Sequence, residues 1–305
     1  MIMSKLLLPF ILLFLLVGCS TVKKVKFEDY VFQTKKEKDK YINSYNNSLK
    51  LWGIPYVEEN IKTQFGTAHV IIAGPKDGKE IVLLHGMDAS STMWYPNIKA
   101  LAKTHRIYTI DFLMEPGKST LTAKALTSDE IVIWYNDIFN YYRLKDFYIV
   151  AASRGGWLAT LLASQQYNSI QKIVLLSPAQ TFEYVDKIGK TSNAFFLKLF
   201  PSEKKFNKTL SVFSTHPEKI NPVYKRQFYL ANKYAKSNSS MLKMHPFSDK
   251  ELQLIQNPVL VLIGDKDVIN SEESLERAKK YPVIIDFLSK PITTSMIEYL
   301  KDKLL

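Results

Sequence analysis

The segment FYIVAASRGG, residues 147–156, decides the fold. Its first six residues are all apolar or aromatic and predict a buried β-strand, whereas the small residues that follow Arg154 predict a helix. Ser153 therefore lies on a tight turn between a strand and a helix. Gly155, two residues after Ser153, is small enough for such a strained turn. A serine that merely caps the helix is the plain alternative.

Outward from this segment, strands and helices alternate along the chain. This alternation predicts a mostly parallel sheet covered by helices on both faces. The predicted strands are residues 67–73, 80–84, 106–110, 147–152, 172–176, 259–263 and 283–285, and the predicted helices are 38–51, 128–142, 154–167, 272–280 and 292–300. Residues 181–249 break the alternation, because they are aromatic, helical in parts and interrupted by prolines.

Two further segments place polar groups at strand ends. The run IVLLHGM, residues 81–87, is a buried strand followed by a His-Gly turn. The run VLVLIGDKDVI, residues 259–269, is a strand followed by a turn that carries two carboxylates. Asp267 is the better candidate for a functional acid and Asp265 the weaker one, although either could be an ordinary turn carboxylate.

These three segments resemble the α/β-hydrolase fold, and the stretch SSTMWYP, residues 90–96, resembles bacterial carboxylesterase-like hydrolases. The resemblance covers roughly residues 60–305 and implies a helical cap at about 181–249. It also implies a serine hydrolase with Ser153 as the nucleophile and Asp267 as the acid. The backbone N–H groups of Met87 and Arg154 are then the oxyanion donors.

The resemblance fails at the catalytic histidine. In the family this residue follows a late strand, where the present chain has Asp286 or a near neighbour, and no histidine follows His245. His245 is the best candidate for a substitute base, and His216 is a second. The resemblance makes His85 structural, and we expect the same of His69 and His105.

Two functions of different class follow. The chain is either an ester hydrolase with an unidentified base, or a degenerate hydrolase whose pocket binds a ligand or a partner without turnover, since serine needs an adjacent base to be a good nucleophile. The cap is rich in aromatic side chains, which suggest an apolar acyl or aryl group in the substrate or else form the cap's own core. They are Phe182, Tyr184, Phe195, Phe196, Phe200, Phe206 and Phe213.

The N-terminus resembles a bacterial lipoprotein signal. Leu6 to Val17 is apolar, and LVGC, residues 16–19, ends at the only cysteine of the chain. An apolar helix of this length spans about 18 Å, less than the roughly 30 Å hydrocarbon core of a bilayer. We expect residues 1–18 to be a signal peptide, Cys19 to be lipidated, residues 19–59 to be a tether with an N-terminal helix, and residues 60–305 to be the hydrolase domain. An ordinary cleaved signal or a short anchor is the alternative.

The composition of the chain limits the classes of partner that we expect. The 305 residues are 46% apolar and carry a net charge of +12, but no basic run is interleaved with stacking aromatics. We therefore expect no nucleic-acid partner, and we attribute the charge to an anionic membrane surface. No phosphate-binding glycine loop or metal-ligand cluster is present in the sequence, so no cofactor is expected. The expected partners are a small ester-like molecule and a membrane reached through a lipid anchor, in an exported protein.

Overall fold

The computed structural model describes residues 28–121, 124–165, 169–185, 197, 201–236, 244–264, 266–281 and 284–288, the last five by their backbone alone. The predicted signal peptide, Cys19 and the predicted last helix lie outside the described residues. No helix in the described part of the chain combines the length and the apolar content that crossing a membrane requires.

Eight strands of the described chain form one sheet, in the order β1-β2-β4-β3-β5-β6-β7-β8. Their bounds are β1 Tyr56–Thr63, β2 Gly66–Ala73, β3 Lys79–Leu84, β4 His105–Asp111, β5 Phe147–Ala152, β6 Ile170–Leu176, β7 Val259–Leu262 and β8 Ile284–Leu288. β2 pairs antiparallel with β1 and β4, and every other pair is parallel. The predicted mostly parallel sheet is therefore confirmed.

The described helices are α1 Lys35–Leu49, α2 Ile98–Leu101, α3 Ser128–Tyr141, α4 Arg154–Ser164, α5 Glu203–Phe213, α6 Pro222–Tyr234, α7 Asp249–Gln253 and α8 Glu272–Lys279. Side-chain caps begin most of them. Thr127 and Glu130 form a capping box at α3, and Ser202 accepts a hydrogen bond from a backbone N–H of α5. Such caps satisfy donors that the first turn of a helix leaves without partners.

The sheet separates two apolar clusters because alternate strand residues point to opposite faces. In β3, Val82 and Leu84 belong to one cluster and Ile81 and Leu83 to the other. The buried side chains of α3 and α4 join the first cluster, and those of α1, α5 and α6 join the second. The central strands are thus apolar on both faces, as strands buried between helical layers are.

Strand register defines one edge of the sheet. Ala152 at the end of β5 pairs with Leu176, Leu176 with Leu262, and Leu262 with Leu288. The residues that follow these four strand ends therefore emerge at the same edge. In open parallel sheets this carboxyl edge is where ligands bind.

Two features of the fold were not predicted. β1 is an edge strand in which only Ile61 is buried, so it has no apolar run to signal it. α6, inside the predicted cap, is bound to the body through Gln227, which is 2% exposed. The Gln227 amide donates to the Tyr41 hydroxyl of α1 at 3.1 Å and to Ser90 Oγ at 2.9 Å. The limits of the tether, the hydrolase domain and the cap stay predictions.

Candidate active site

Ser153 lies where the sequence predicts it, between β5 and α4. Its φ is 51° and its ψ is −114°, a conformation that residues with a side chain rarely adopt. The backbone is held there because the Ser153 N–H donates to the Leu176 carbonyl at 2.8 Å and the Ser153 carbonyl accepts from the Gly156 and Ala179 N–H groups. The turn therefore carries the strain that a nucleophile turn needs in order to expose its hydroxyl.

Glycines allow this turn to form. A Cβ on Gly155 would lie 2.4 Å from the Leu84 carbonyl oxygen, and one on Gly156 would lie 2.7 Å from Pro178 Cβ. Gly86 lies against the serine itself, since a Cβ built there would be 3.4 Å from Ser153 Cβ and 3.9 Å from its Oγ. The turn after β3 and the turn after β5 are thus in direct contact.

The turn after β3 is organised by His85. Its Nδ1 donates to the Gly86 carbonyl at 2.8 Å, and its Nε2 accepts from the Phe112 N–H at 2.9 Å. The imidazole is 3% exposed and both of its nitrogens are occupied, which leaves it structural. Met87 is the next residue in the sequence after Gly86, the glycine that lies against Ser153.

A buried ion pair that the sequence analysis missed joins the two turns. The Arg154 guanidinium bonds to Glu115 Oε1, while Glu115 Oε2 accepts from the Asp88 N–H at 2.9 Å. Arg154 is 3% exposed and Glu115 is 2% exposed. Glu115 therefore bonds to Arg154 and to Asp88, the residue directly after Met87. Met87 and Arg154 are the two residues that the resemblance implies as oxyanion donors. The only signal in the sequence was a charged residue directly after the serine, at the start of a buried helix.

Asp267 is held in the turn after β7. Its Oδ1 accepts from the Ile269 N–H at 2.6 Å and the Asn270 N–H at 2.8 Å. Its Oδ2 accepts from the hydroxyl of Ser177, which directly follows β6. Because Ser153 follows β5, the serine and the carboxylate emerge from the same edge of the sheet. Asp265, the weaker candidate, lies outside the described residues.

The two histidines considered as substitute bases make other contacts. His245 is exposed, and its carbonyl accepts from the Trp157 indole at 3.0 Å, while the exposed His216 bonds to Glu218 at 3.1 Å. Within the described residues, no hydrogen bond joins a histidine side chain to Ser153 or Asp267. Neither candidate for a substitute base is therefore hydrogen-bonded to the serine.

The strand that precedes the missing histidine ends later than the sequence suggested. β8 runs to Leu288, which pairs with Leu262, so Asp286 lies inside the strand instead of in the turn after it. Asp286 itself is thus not in a turn after the strand, and the wider expectation that Asp286 or a near neighbour stands at the histidine position stays a prediction.

A second buried cluster fixes the loop after β4. Asp111, fully buried, accepts from the Ser91 N–H at 2.8 Å, from the Lys118 N–H at 2.9 Å and from His69 Nδ1 at 3.1 Å. Burial by itself would raise the pKa of Asp111, but the bond to His69 and its charge hold that pKa well below its usual range. Burial likewise opposes protonation of His69, whose pKa is nevertheless raised by Asp111 and Glu58. His69 is thus structural.

The cap aromatics divide into two groups. Phe182 is 2% exposed, and Phe206 packs on Phe228 and Tyr229 at ring-centroid distances of 5.6 and 5.5 Å, so these two serve packing. Tyr184 is 62% exposed and Phe213 is 44% exposed. Phe195, Phe196 and Phe200 lie outside the described residues. No group of three or more potential metal ligands occurs in the described part of the chain.

Comparison with known proteins agrees with this geometry. An uncharacterized carboxylesterase named nap from Bacillus subtilis (strain 168) is 28% identical over 258 residues, covering 79% of this chain and 81% of its own length. Carboxylesterase YbfK of the same organism is 26% identical over 78% of this chain and 81% of its own length.

Comparison with solved structures also finds similarity to a carboxylesterase. The crystal structure of naproxen esterase (carboxylesterase NP) from Bacillus subtilis superposes with a TM-score of 0.79 and 27% identity, covering 89% of this chain and 98% of that one. The model of the alpha/beta hydrolase fold family matches residues 79–289, more than half of the chain. The chain therefore belongs to the alpha/beta hydrolase fold family.

Proposed function

We propose that this protein acts on carboxylic esters through Ser153, with Asp267 as the acid and the backbone N–H groups of Met87 and Arg154 as oxyanion donors. The observation that carries the proposal is the strained Ser153 turn, with a φ of 51°, seated against Gly86. The similarity to two carboxylesterases over most of the chain supports an ester as the substrate class.

In this reaction the Ser153 oxygen attacks the ester carbonyl, and the carbonyl oxygen becomes an oxyanion that accepts from the two N–H groups. The bond to the alcohol then breaks, which leaves an acyl group on Ser153 that water removes as a carboxylic acid. Both halves need a base, first for the serine proton and then for the water proton. With no histidine after His245, we expect turnover to be slow.

The second candidate is a degenerate hydrolase that binds an ester-like ligand or a partner without turning it over. The hydrogen bonds that Asp267 accepts favour this second candidate. In a working triad the carboxylate orients a histidine, whereas here its two oxygens accept from Ser177, Ile269 and Asn270. Such a carboxylate keeps a role in the turn whether or not a histidine is present.

A fluorophosphonate probe tests the serine. We expect covalent labelling of the protein, abolished in Ser153→Ala, together with very low activity on short p-nitrophenyl esters. Labelling that persists in Ser153→Ala would exclude Ser153 as the nucleophile. Ordinary esterase rates would exclude the degenerate alternative, and His245→Ala and His216→Ala would then show whether either histidine is the base.

Restoring a histidine tests the missing base. A Gly-His turn inserted directly after Leu288 places an imidazole at the carboxyl edge, so we expect esterase activity to rise by at least tenfold and to vanish with Ser153→Ala. Asp286→His is the matched control, because residue 286 lies inside β8. An equal gain from both variants would contradict the placement of the site edge.

Anchorage is a separate part of the proposal: Cys19 is lipidated, and the exported protein is held at a bacterial membrane. The support is the apolar run that ends at the only cysteine of the chain. Radiolabelled palmitate should enter the wild-type protein and not Cys19→Ser, which should leave the membrane fraction or stay unprocessed. Absence of label from the wild-type protein would remove the lipid anchor.

A further inference from the structure

A row of positive charge follows the outer side of α6. Arg226 and Lys233 both lie over the Tyr229 ring, at 5.4 and 5.7 Å from its centroid. Lys233 and Lys40 of α1 both lie over the Tyr234 ring, at 5.6 and 5.8 Å. All three cationic side chains are exposed. We call Lys40, Arg226 and Lys233 the α6 basic row.

The row belongs to a face with a strong charge imbalance. Residues 201–236, which include α5 and α6, contain eight lysines and arginines but only two acidic residues. One of the two, Glu203, pairs with Arg226 at 3.1 Å and thereby joins α5 to the row. Lys204 and Lys208 of α5 are also exposed. This region alone therefore supplies half of the net charge of +12.

One helix on the opposite side of the sheet is acidic. α3 packs on the other apolar cluster and contains Asp129, Glu130 and Asp137 with no lysine or arginine. The helix α3 and the face of α5 and α6, on opposite sides of the sheet, thus carry opposite net charge. An anionic surface would attract one side and repel the other, so the charge distribution favours a single orientation.

The basic row lies beside the point where the N-terminal segment enters the fold. The Lys236 N–H donates to the Val31 carbonyl at 2.7 Å, and Phe32 forms a β-bridge with Ala235, directly after α6. Lys233 is one helical turn earlier. Cys19 precedes Glu28 by nine residues, a reach of at most about 30 Å when fully extended.

We propose that the face of α5 and α6, centred on the α6 basic row, docks on the anionic surface of a lipid bilayer. This inference rests on the proposed anchorage through the N-terminal segment, because the tether brings the face within range of the membrane. Electrostatic attraction falls off over a Debye length of about 8–10 Å, so only residues close to the bilayer contribute. Each exposed lysine or arginine near such a surface contributes roughly a fivefold gain in affinity. The row therefore orients a protein that the tether alone would leave free to rotate.

A polarity-sensitive dye on full-length proteins that each carry one introduced cysteine measures this orientation. Asn207→Cys places the dye on exposed α5, and Asn140→Cys places it on α3, across the sheet. Cys19 is kept in both proteins, because lipidation holds the chain in the vesicle and blocks the Cys19 thiol, so that the introduced cysteine is the one that reacts with the dye. We compare vesicles of phosphatidylcholine alone with vesicles that contain 30% phosphatidylglycerol. The emission at position 207 should shift to the blue only with the anionic lipid, and the emission at position 140 should not change.

Charge variants identify the residues. The triple variant Lys40→Gln, Arg226→Gln, Lys233→Gln should lose the blue shift, with an apparent affinity for the anionic lipid reduced by about 100-fold. Lys62→Gln, Lys76→Gln, Lys145→Gln is the matched control, since it removes the same charge from exposed sites elsewhere and should retain the shift. The shift should also disappear in 0.5 M NaCl.

Four outcomes distinguish the possibilities. A chain that does not sediment with either kind of vesicle defeats the anchorage proposal itself. A chain that sediments but gives the same emission at position 207 with both lipids overturns the docking face. Equal loss in the two triple variants also overturns it, because net charge would then suffice. Loss of the blue shift on anionic vesicles when an equimolar 20-nucleotide single-stranded DNA is added would overturn it in favour of a nucleic-acid surface.

Discussion

Glu115→Ala should be among the most destabilising single substitutions in this protein. The substitution removes the carboxylate that faces the Arg154 guanidinium and accepts from the Asp88 N–H. Because both charged residues are almost fully buried, at 2% and 3% exposure, solvent cannot screen the charge that remains. Breaking a buried pair by removal of one partner costs about 3–5 kcal/mol.

Chemical denaturation followed by circular dichroism measures this cost. In a thermal scan, at roughly 2–4 °C per kcal/mol for a large domain, the melting temperature should fall by about 6–20 °C. Asp39→Ala is the control, since the pair of Lys35 and Asp39 is exposed at 74% and 55% and should change the free energy of unfolding by less than about 1 kcal/mol. The double variant Glu115→Leu, Arg154→Met should be more stable than Glu115→Ala, because an apolar pair leaves no charge buried. A Glu115→Ala protein as stable as Asp39→Ala would refute this account of the pair.

Three further predictions concern other contacts. Arg277→Ala should lower the free energy of unfolding by about 1.5–3 kcal/mol, because the guanidinium of Arg277 donates to the Phe247 carbonyl at 2.6 Å and to Asp249 at 2.8 Å. Chemical denaturation measures this loss, with Lys279→Ala as the control because the ion pair of Lys279 is exposed. Gly155→Ala should cost about 3 kcal/mol or more, since its Cβ would lie 2.4 Å from a backbone oxygen, and a soluble variant with an unchanged melting temperature would contradict the turn geometry. His69→Gln should change the pH dependence of stability. Because the pKa of His69 is raised in the folded protein, protonated His69 stabilises the fold fully below about pH 6.5, and this contribution is lost as the pH rises through the folded-state pKa. The free energy of unfolding of the wild-type protein should therefore fall toward alkaline pH more steeply than that of the variant.

The site was predictable from sequence wherever local chemistry determines it. The strained turn at Ser153 needs a small residue at 155, and the His-Gly turn needs a glycine at 86, so both leave a readable pattern. Glu115 left none, because its partner Arg154 is 39 positions away and nothing local marks a glutamate as buried. Which carboxylate meets a buried arginine is decided by the packing of the loop after β4, which a single sequence does not reveal.

Strand boundaries likewise could not be predicted where contacts between distant segments determine them. β1 was missed because its sequence, YVEENIKT, is polar apart from a few positions and buries only Ile61 at the edge of the sheet. The predicted end of β8 came too early in the sequence because aspartate is common in turns, and Asp286 was therefore read as a turn residue. The actual end of β8 depends on pairing with β7, a contact between segments more than twenty residues apart. In both cases hydrogen bonding to a neighbouring strand outweighed the local polarity.

The chemistry of the site separates into a part that binds and a part that transfers protons. Two backbone donors beside a strained serine can stabilise an oxyanion without any ionisable side chain, and in triad hydrolases such features alone retain about 10³–10⁴-fold of the rate enhancement. Proton transfer from Ser153 needs a base within hydrogen-bond reach, and neither His216 nor His245 bonds to the serine in the described chain. The proposed oxyanion donors belong to the folded turns, which Glu115 and the glycines hold in place whether or not a base is present. A histidine added after Leu288 would have to supply only the proton transfer, and this is why a rise in activity from one inserted turn would identify the site as an esterase that lacks its base.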